Sequence, residues 1–215
     1  KITAGTGADT ITGGAGADTL LGGNSNDNID GGAGADKIEG EAGADTITGG
    51  TGKDTYVLDD DHSTESAMDI IKDFAALATD ADFDTLNPAT GANVSKDESS
   101  AVDVKAGTAD TADTSVTATV SAGVITLGGT EKANVNTLAE WIDVAEILLA
   151  RNVINDNSTE AGMIAFEFSG DTYVVYGDDA SSEATYATEG AVKLEGLTGI
   201  TGISTTEAIN TIHIA

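Results

Sequence analysis

Six aspartates recur at a spacing of nine residues: Asp9, Asp18, Asp27, Asp36, Asp45 and Asp54. Two residues after each stands a large apolar side chain, in order Ile11, Leu20, Ile29, Ile38, Ile47 and Tyr56. Ahead of each aspartate lies a glycine-rich tetrad, with glycine favoured at positions one, two and four of a unit that repeats without a break from Ala4 to Val57. Glycine at those three positions lets the backbone take positive φ and turn tightly, which presents carbonyl oxygens on the inside of the turn. A carboxylate held in phase with such carbonyls is oxygen-donor chemistry. It suits a hard divalent cation, Ca²⁺ or Mg²⁺, better than a metal that wants thiolate or imidazole.

The elements that must position these groups follow from the same spacing. After each aspartate, x-U-x reads as a short strand whose alternation turns the apolar residue U inward and its neighbours outward. Two units then complete an eighteen-residue coil of turn, strand, turn and strand, and stacked coils make a right-handed parallel β-roll. Odd units fall on one flank and even units on the other. Asp9, Asp27 and Asp45 therefore form one row, and Asp18, Asp36 and Asp54 the opposite row. Each cation is expected between the turns of units n and n+2, with about six oxygens from the two turns together. The expected ligand set is Gly5, Gly7, Asp9, Gly14, Gly16, Asp18, Gly23, Ser25, Asp27, Gly32, Gly34, Asp36, Gly43, Asp45, Gly50, Gly52 and Asp54. Three units deviate, with Ala4, Ser25 and Glu41 in glycine positions; Glu41 offers an extra carboxylate near the odd-unit row. A flexible Gly/Asp linker is the alternative, but linkers do not hold an aspartate and an apolar residue in phase through six units.

Composition points the same way. Asp plus Glu number 37 against 9 Lys plus Arg, a formal net charge of -28, and such self-repulsion opposes compaction unless cations neutralise it. Calcium is the first candidate. The charge makes nucleic acid and anionic membrane surfaces poor partners. With 27 glycines and only 4% aromatic residues, one bulky core is not expected to organise the whole chain. There is no cysteine, so neither disulfides nor a cysteine-based metal site can staple the fold. No apolar run approaches the roughly 18 residues of a membrane-spanning helix, so membrane insertion is not expected.

These repeats resemble the RTX family of Gram-negative proteins exported by type I secretion, whose unit is G-G-x-G-x-D-x-U-x. Tyr56-Val57-Leu58 followed by Asp69-Ile70-Ile71-Lys72-Asp73-Phe74 is also similar to that family's usual exit from the roll. The resemblance implies a roll that is unfolded at low cytosolic calcium, passes the type I secretion apparatus and folds on several Ca²⁺ ions outside the cell. Ligand binding to the folded state alone supplies the coupling by mass action. Because Lys1-Ile2-Thr3 already sits in the register of the next unit, the chain reads as the C-terminal part of a longer array.

The chain divides into a roll over 1–58, an acidic connecting segment or insertion over 59–115, and a β-rich C-terminal domain over 116–215. In the acidic segment a solvated loop is favoured, with Asp59 to Asp61 or Asp80 to Asp84 as candidates for a further calcium site. Asp80-x-Asp82-x-Asp84 is not an EF-hand, since Thr85 stands where the sharp turn needs glycine and Gly91 where the bidentate glutamate belongs. Alternation at Val116, Ala118 and Val120 and the run Val124 to Leu127 predict paired strands. Thr137-Leu138-Ala139-Glu140 is a capping-box signature opening a helix over about 137–151, with Leu138, Trp141, Ile142, Ala145, Leu148 and Leu149 on one face that is expected to be core. Met163 to Phe168 and Thr172 to Tyr176 predict a hairpin around Ser169-Gly170-Asp171, and shorter strands fit 191–195, 199–204 and 209–214. The acidic-then-apolar end, Glu207 to Ile214, resembles C-terminal export signals as well as an ordinary last strand.

No catalytic constellation is legible. His62 and His213 are the two histidines and neither stands in H-E-x-x-H; no G-x-S-x-G elbow or phosphate loop occurs. Acidic residues are too abundant for any pair to count as an acid/base couple. The expectation is a non-enzymatic, calcium-binding region of a secreted protein at the surface of a Gram-negative cell, with a surface-layer or similar structural role. Its partners would be calcium, the secretion apparatus, and either further copies of itself or a cell-surface polysaccharide. The alternatives are the export and folding module of an RTX hydrolase or toxin, or the end of an RTX adhesin.

Overall fold

The computed structural model describes residues 1–58, 67–75, 83–88, 93–94, 98–104, 116–121, 124–128, 137–142, 144–145, 162–177, 190–200, 203–205 and 212–214. Its first strands are β1 (Ile2–Thr3), β2 (Thr10–Ala15), β3 (Thr19–Asn24), β4 (Asn28–Ala33), β5 (Lys37–Ala42), β6 (Thr46–Thr51) and β7 (Thr55–Leu58). They alternate between two parallel sheets, β1-β3-β5-β7 and β2-β4-β6. Register is fixed by the apolar column: Ile11 pairs Ile29 and Ile29 pairs Ile47 in one sheet, while Leu20 pairs Ile38 and Ile38 pairs Tyr56 in the other. All six apolar residues are buried between the sheets, as the inward phase of a period-two strand requires. This is the parallel β-roll that the repeat spacing predicts.

The sheets do not stop at Leu58. β8 (Asp69–Ile71) adds in parallel to β6, and β9 (Thr85–Pro88) adds in parallel to β7. The expectation of a solvated loop gives way at these two places, because Ile71 and Leu86 continue the apolar columns at the register of Ile47 and Tyr56. Asp59 to Asp61, Asp80, Asp82 and His62 lie outside the described residues.

The remaining strands extend both sheets. They are β10 (Asn93–Val94), β11 (Glu98–Val104), β12 (Val116–Ser121), β13 (Val124–Gly128), β14 (Gly162–Phe168), β15 (Asp171–Gly177), β16 (Gly190–Leu194), β17 (Ile203–Thr205) and β18 (Ile212–Ile214). One sheet runs β1-β3-β5-β7-β9-β18-β17; the other runs β11-β12-β13-β14-β15-β16-β8-β6-β4-β2, with β10 beside β14. The C-terminal strands are thus continuous with the roll: β16 pairs β8 and β18 pairs β9. The expected hairpin is β14–β15, closed by Ser169 and Gly170, both at positive φ as a two-residue hairpin loop demands. Met163, Ile164, Ala165 and Phe166 are apolar at every position because both faces of β14 are covered. Met163 and Ala165 join the roll core, whereas Ile164 and Phe166 join a second core under a helix at 138–142 and 144–145. The predicted capping box forms there. The Thr137 N–H donates to the Glu140 carboxylate at 2.9 Å, and the Glu140 N–H donates to Thr137 Oγ1 at 3.3 Å. Trp141 stacks on Phe166 at 5.2 Å between ring centroids, so the apolar face of this helix is core as expected. The predicted continuation to residue 151 lies outside the described residues.

Candidate metal centre

Each aspartate of the repeat ties its coil to the next. The Asp9 N–H donates to Asp27 Oδ1 at 2.7 Å, and the Asp27 N–H to Asp45 Oδ1 at 2.7 Å. In the other row Asp18 donates to Asp36 Oδ1 at 2.8 Å and Asp36 to Asp54 Oδ1 at 2.9 Å. The aspartate carbonyls are used as well, since those of Asp9, Asp18, Asp27 and Asp36 accept from Asn28, Lys37, Thr46 and Thr55. The structure therefore assembles the two rows that the spacing predicts, and it places Oδ1 of Asp27, Asp36, Asp45 and Asp54 along the stacking direction.

The second oxygen is the informative one. Oδ2 of Asp27, Asp36 and Asp54 is buried and accepts no hydrogen bond. A buried carboxylate oxygen without a donor or cation is costly, because burial in a low dielectric removes its hydration with nothing in return. Burial pushes the Asp54 carboxyl above its ordinary range, and the charges of Asp36 and Asp73 add to this against the pull of the Asp36 N–H. Such an oxygen fits a cation.

The turns supply the rest of the donor set. Positive φ occurs at position two in Gly14, Gly23, Gly32, Glu41 and Gly50, and at position four in Gly16, Ser25, Gly34, Gly43 and Gly52. The turns of units n and n+2 are stacked closely. A Cβ on Gly23, Gly32 or Gly50 would run into the carbonyl of Gly5, Gly14 or Gly32, and one on Gly34, Gly43 or Gly52 into that of Gly16, Ser25 or Gly34. Gly7 stands exposed at the outermost turn, where Ser25 Oγ donates to the neighbouring Thr6 carbonyl at 3.2 Å.

Position one needs a correction. Its glycines do not take positive φ, contrary to the expectation from turn chemistry. They are required by close approach instead: a Cβ on Gly31 would stand 2.5 Å from the Gly49 carbonyl oxygen and 2.7 Å from Asp36 Oδ2. Gly22 and Gly49 border Oδ2 of Asp27 and Asp54 in the same way. The orphaned oxygen thus lies in a cradle that exists because position one has no side chain. Among the described residues no three carboxylate or imidazole side chains converge on one point, so a cation here draws mainly on main-chain oxygens.

Two further rungs lie at Asp69, of the exit segment, and Asp84, of the acidic Asp80 to Asp84 stretch, which the spacing does not mark as rungs. The Asp45 N–H donates to Asp69 Oδ1 at 2.9 Å, and the Asp54 N–H to Asp84 Oδ1 at 3.0 Å. Burial raises the Asp69 carboxyl to about 8, with the Asp45 charge adding to it and the Asp45 N–H opposing. Burial likewise raises Asp84 to about 6, against hydrogen bonds from the Ala75 and Asp54 N–H groups. Neither residue follows a glycine tetrad. The surviving signal is the tripeptide D-x-U, in Asp69-Ile70-Ile71 and Asp84-Thr85-Leu86.

A parallel roll with buried carboxylate rows and carbonyl-lined turns is the architecture of a cation-binding repeat protein. The family model described as RTX calcium-binding nonapeptide repeat (4 copies) matches residues 1–29, 21–56 and 30–64, and the N-terminal part of the chain is a run of such repeats. The repeats bind Ca²⁺, and the rows of buried aspartates accord with it. Compared with curated proteins, the chain has no match.

Proposed function

We propose that this chain is the calcium-folded, non-enzymatic C-terminal region of a type I secreted protein that serves a structural role at the surface of a Gram-negative cell. The observation that carries the reading is the buried Oδ2 of Asp27, Asp36 and Asp54, which accepts no hydrogen bond and which a cation would satisfy. In this reading Ca²⁺ sits between stacked turns, held by Asp9, Asp18, Asp27, Asp36, Asp45 and Asp54 together with carbonyls of Gly5, Gly7, Gly14, Gly16, Gly23, Ser25, Gly32, Gly34, Gly43, Gly50 and Gly52. Calcium supplies positive charge and undirected coordination, which tolerates a set of main-chain oxygens that Mg²⁺ would distort. Extracellular calcium modules bind at about 10⁻⁴–10⁻³ M, so the repeats would stay unfolded in the cytosol and fold on export. A net charge of -28 and a composition poor in lysine favour an assembly bridged by divalent ions over nucleic acid or anionic lipid as partner. No helix among the described residues is long and apolar enough to cross a membrane.

The surface-assembly role is tested by following particle size against calcium concentration. Sheets, filaments or large oligomers are expected as calcium reaches the millimolar range and should dissolve on chelation. A chain that folds on calcium yet stays monomeric would overturn the assembly role.

A further inference from the structure

The intervals along the roll are not closed by the same chemistry. Between Asp18 and Asp36, and between Asp36 and Asp54, the carboxylate that accepts the neighbouring Asp N–H leaves its Oδ2 buried without a donor. Between Asp54 and Asp84 that oxygen has a donor: Asp84 Oδ1 accepts the Asp54 N–H at 3.0 Å, and Oδ2 accepts the Ala75 N–H at 2.8 Å. On the same flank, Asp73 follows Ile71-Lys72 at the point where the nine-residue phase would put the first turn glycine of the rung beside Gly49. Its Oδ1 accepts the Gly49 N–H at 2.9 Å and its Oδ2 the Gly50 N–H at 2.8 Å.

Packing changes at the same place. The outer coil contributes Ile11 and Leu20, one buried apolar residue per strand, whereas at the far end of the same core Tyr56, Leu58, Ile71, Phe74 and Leu86 pack together with strands of the C-terminal part. The Tyr56 and Phe74 rings lie 5.7 Å apart, and Lys53 Nζ sits 3.9 Å from the centroid of the Phe83 ring. β8 and β9 are paired on both sides, by β6 and β16 and by β7 and β18, so this end exposes no sheet edge.

We propose that Asp73 and Asp84 close the C-terminal end of the roll in place of a cation, so that the rungs they touch hold their fold without calcium while the rungs from Thr10 to Ala33 depend on it. Main-chain N–H groups do for these two carboxylates what Ca²⁺ does for the others, and charge-assisted hydrogen bonds are the strong kind. The proposal rests on the calcium reading of the repeats and divides the roll into two parts with different requirements.

Hydrogen exchange of the full chain, in chelator and in millimolar calcium, separates the possibilities. The expected result is protection of 49–58 and 69–75 in both conditions, with 10–33 protected only in calcium. If all these segments exchange freely in chelator and gain protection together, the carboxylate closure is overturned while the calcium reading stands. If calcium changes none of them, both fall. In chelator, Asp73→Ala should lower protection at Gly49 by about tenfold or more, the effect of stripping a charged acceptor from a buried donor, and at exposed Gly50 by less. Unchanged protection there would remove Asp73 from the device.

Discussion

Asp27, Asp36 and Asp54 each carry three tasks in one side chain and its peptide unit: a ladder carbonyl, an Oδ1 that accepts from the coil before it, and an Oδ2 that turns into the glycine cradle. The cost of burying a carboxylate shows at Asp69, raised to about 8, and less at Asp84, raised to about 6, where the Ala75 and Asp54 N–H groups offset part of it. In the unfolded chain both titrate near their ordinary value of 3.8. The folded, metal-free state therefore holds these protons more tightly than the unfolded state. Their contribution to stability is complete below the unfolded value and is lost as pH rises through about 6 and then about 8. Calcium-stripped protein should accordingly be more ordered at about pH 5 than at about pH 8.5, with circular dichroism as the readout. Relief of the overall negative charge acts in the same direction, so Asp69→Asn is the control. It should flatten the upper part of the profile and leave the lower part in place, whereas an unaltered profile would show that Asp69 does not set it.

At the scale of the turn and strand, the position-one glycines are unforgiving even without positive φ. In Gly31→Ala the new methyl would meet a main-chain oxygen, that of Gly49, which cannot swing aside as a side chain could. About 1–3 kcal/mol of destabilisation is expected, along with a higher calcium midpoint. Gly7→Ala, with nothing within 4 Å of the added carbon and no positive φ, should change stability by no more than about 0.5 kcal/mol. Thermal melts at fixed calcium compare the two. The contrast also marks what sequence can and cannot convey. The D-x-U phase of Asp9 to Tyr56 is written locally, and so are the Thr137–Glu140 cap and the β14–β15 hairpin. Position one was legible as glycine but not for the right cause, because the atom that excludes a side chain belongs to a coil eighteen residues away. The place of Asp69 and Asp84 as rungs was obscured because 24 and 30 residues, not eighteen, separate them from Asp45 and Asp54 and no glycine tetrad announces them. Parallel pairing of β16 with β8 joins segments more than a hundred residues apart, and nothing in either segment names the other.

For the whole molecule, two opposed quantities meet in the roll. Its core is one apolar column between two sheets, a thin source of hydrophobic stabilisation, while a net charge of -28 and stacked carboxylates oppose compaction. Neighbouring coils lie about 4.8 Å apart, so unscreened carboxylates in a row repel at short range. The C-terminal strands offset part of this, because their sheets continue those of the roll and bury Met163, Ala165, Val174, Tyr176, Val192 and Leu194 against it. A cation between the turns supplies what remains. The most direct test is a far-ultraviolet circular dichroism titration of the calcium-stripped chain with Ca²⁺ and, in parallel, with Mg²⁺ at equal concentration. The β signal should rise above that of the stripped protein at about 10⁻⁴–10⁻³ M Ca²⁺ and should not rise with Mg²⁺, whose tighter octahedral demand the main-chain oxygens do not meet. An unchanged spectrum with calcium, or an equal gain with magnesium, would contradict the account.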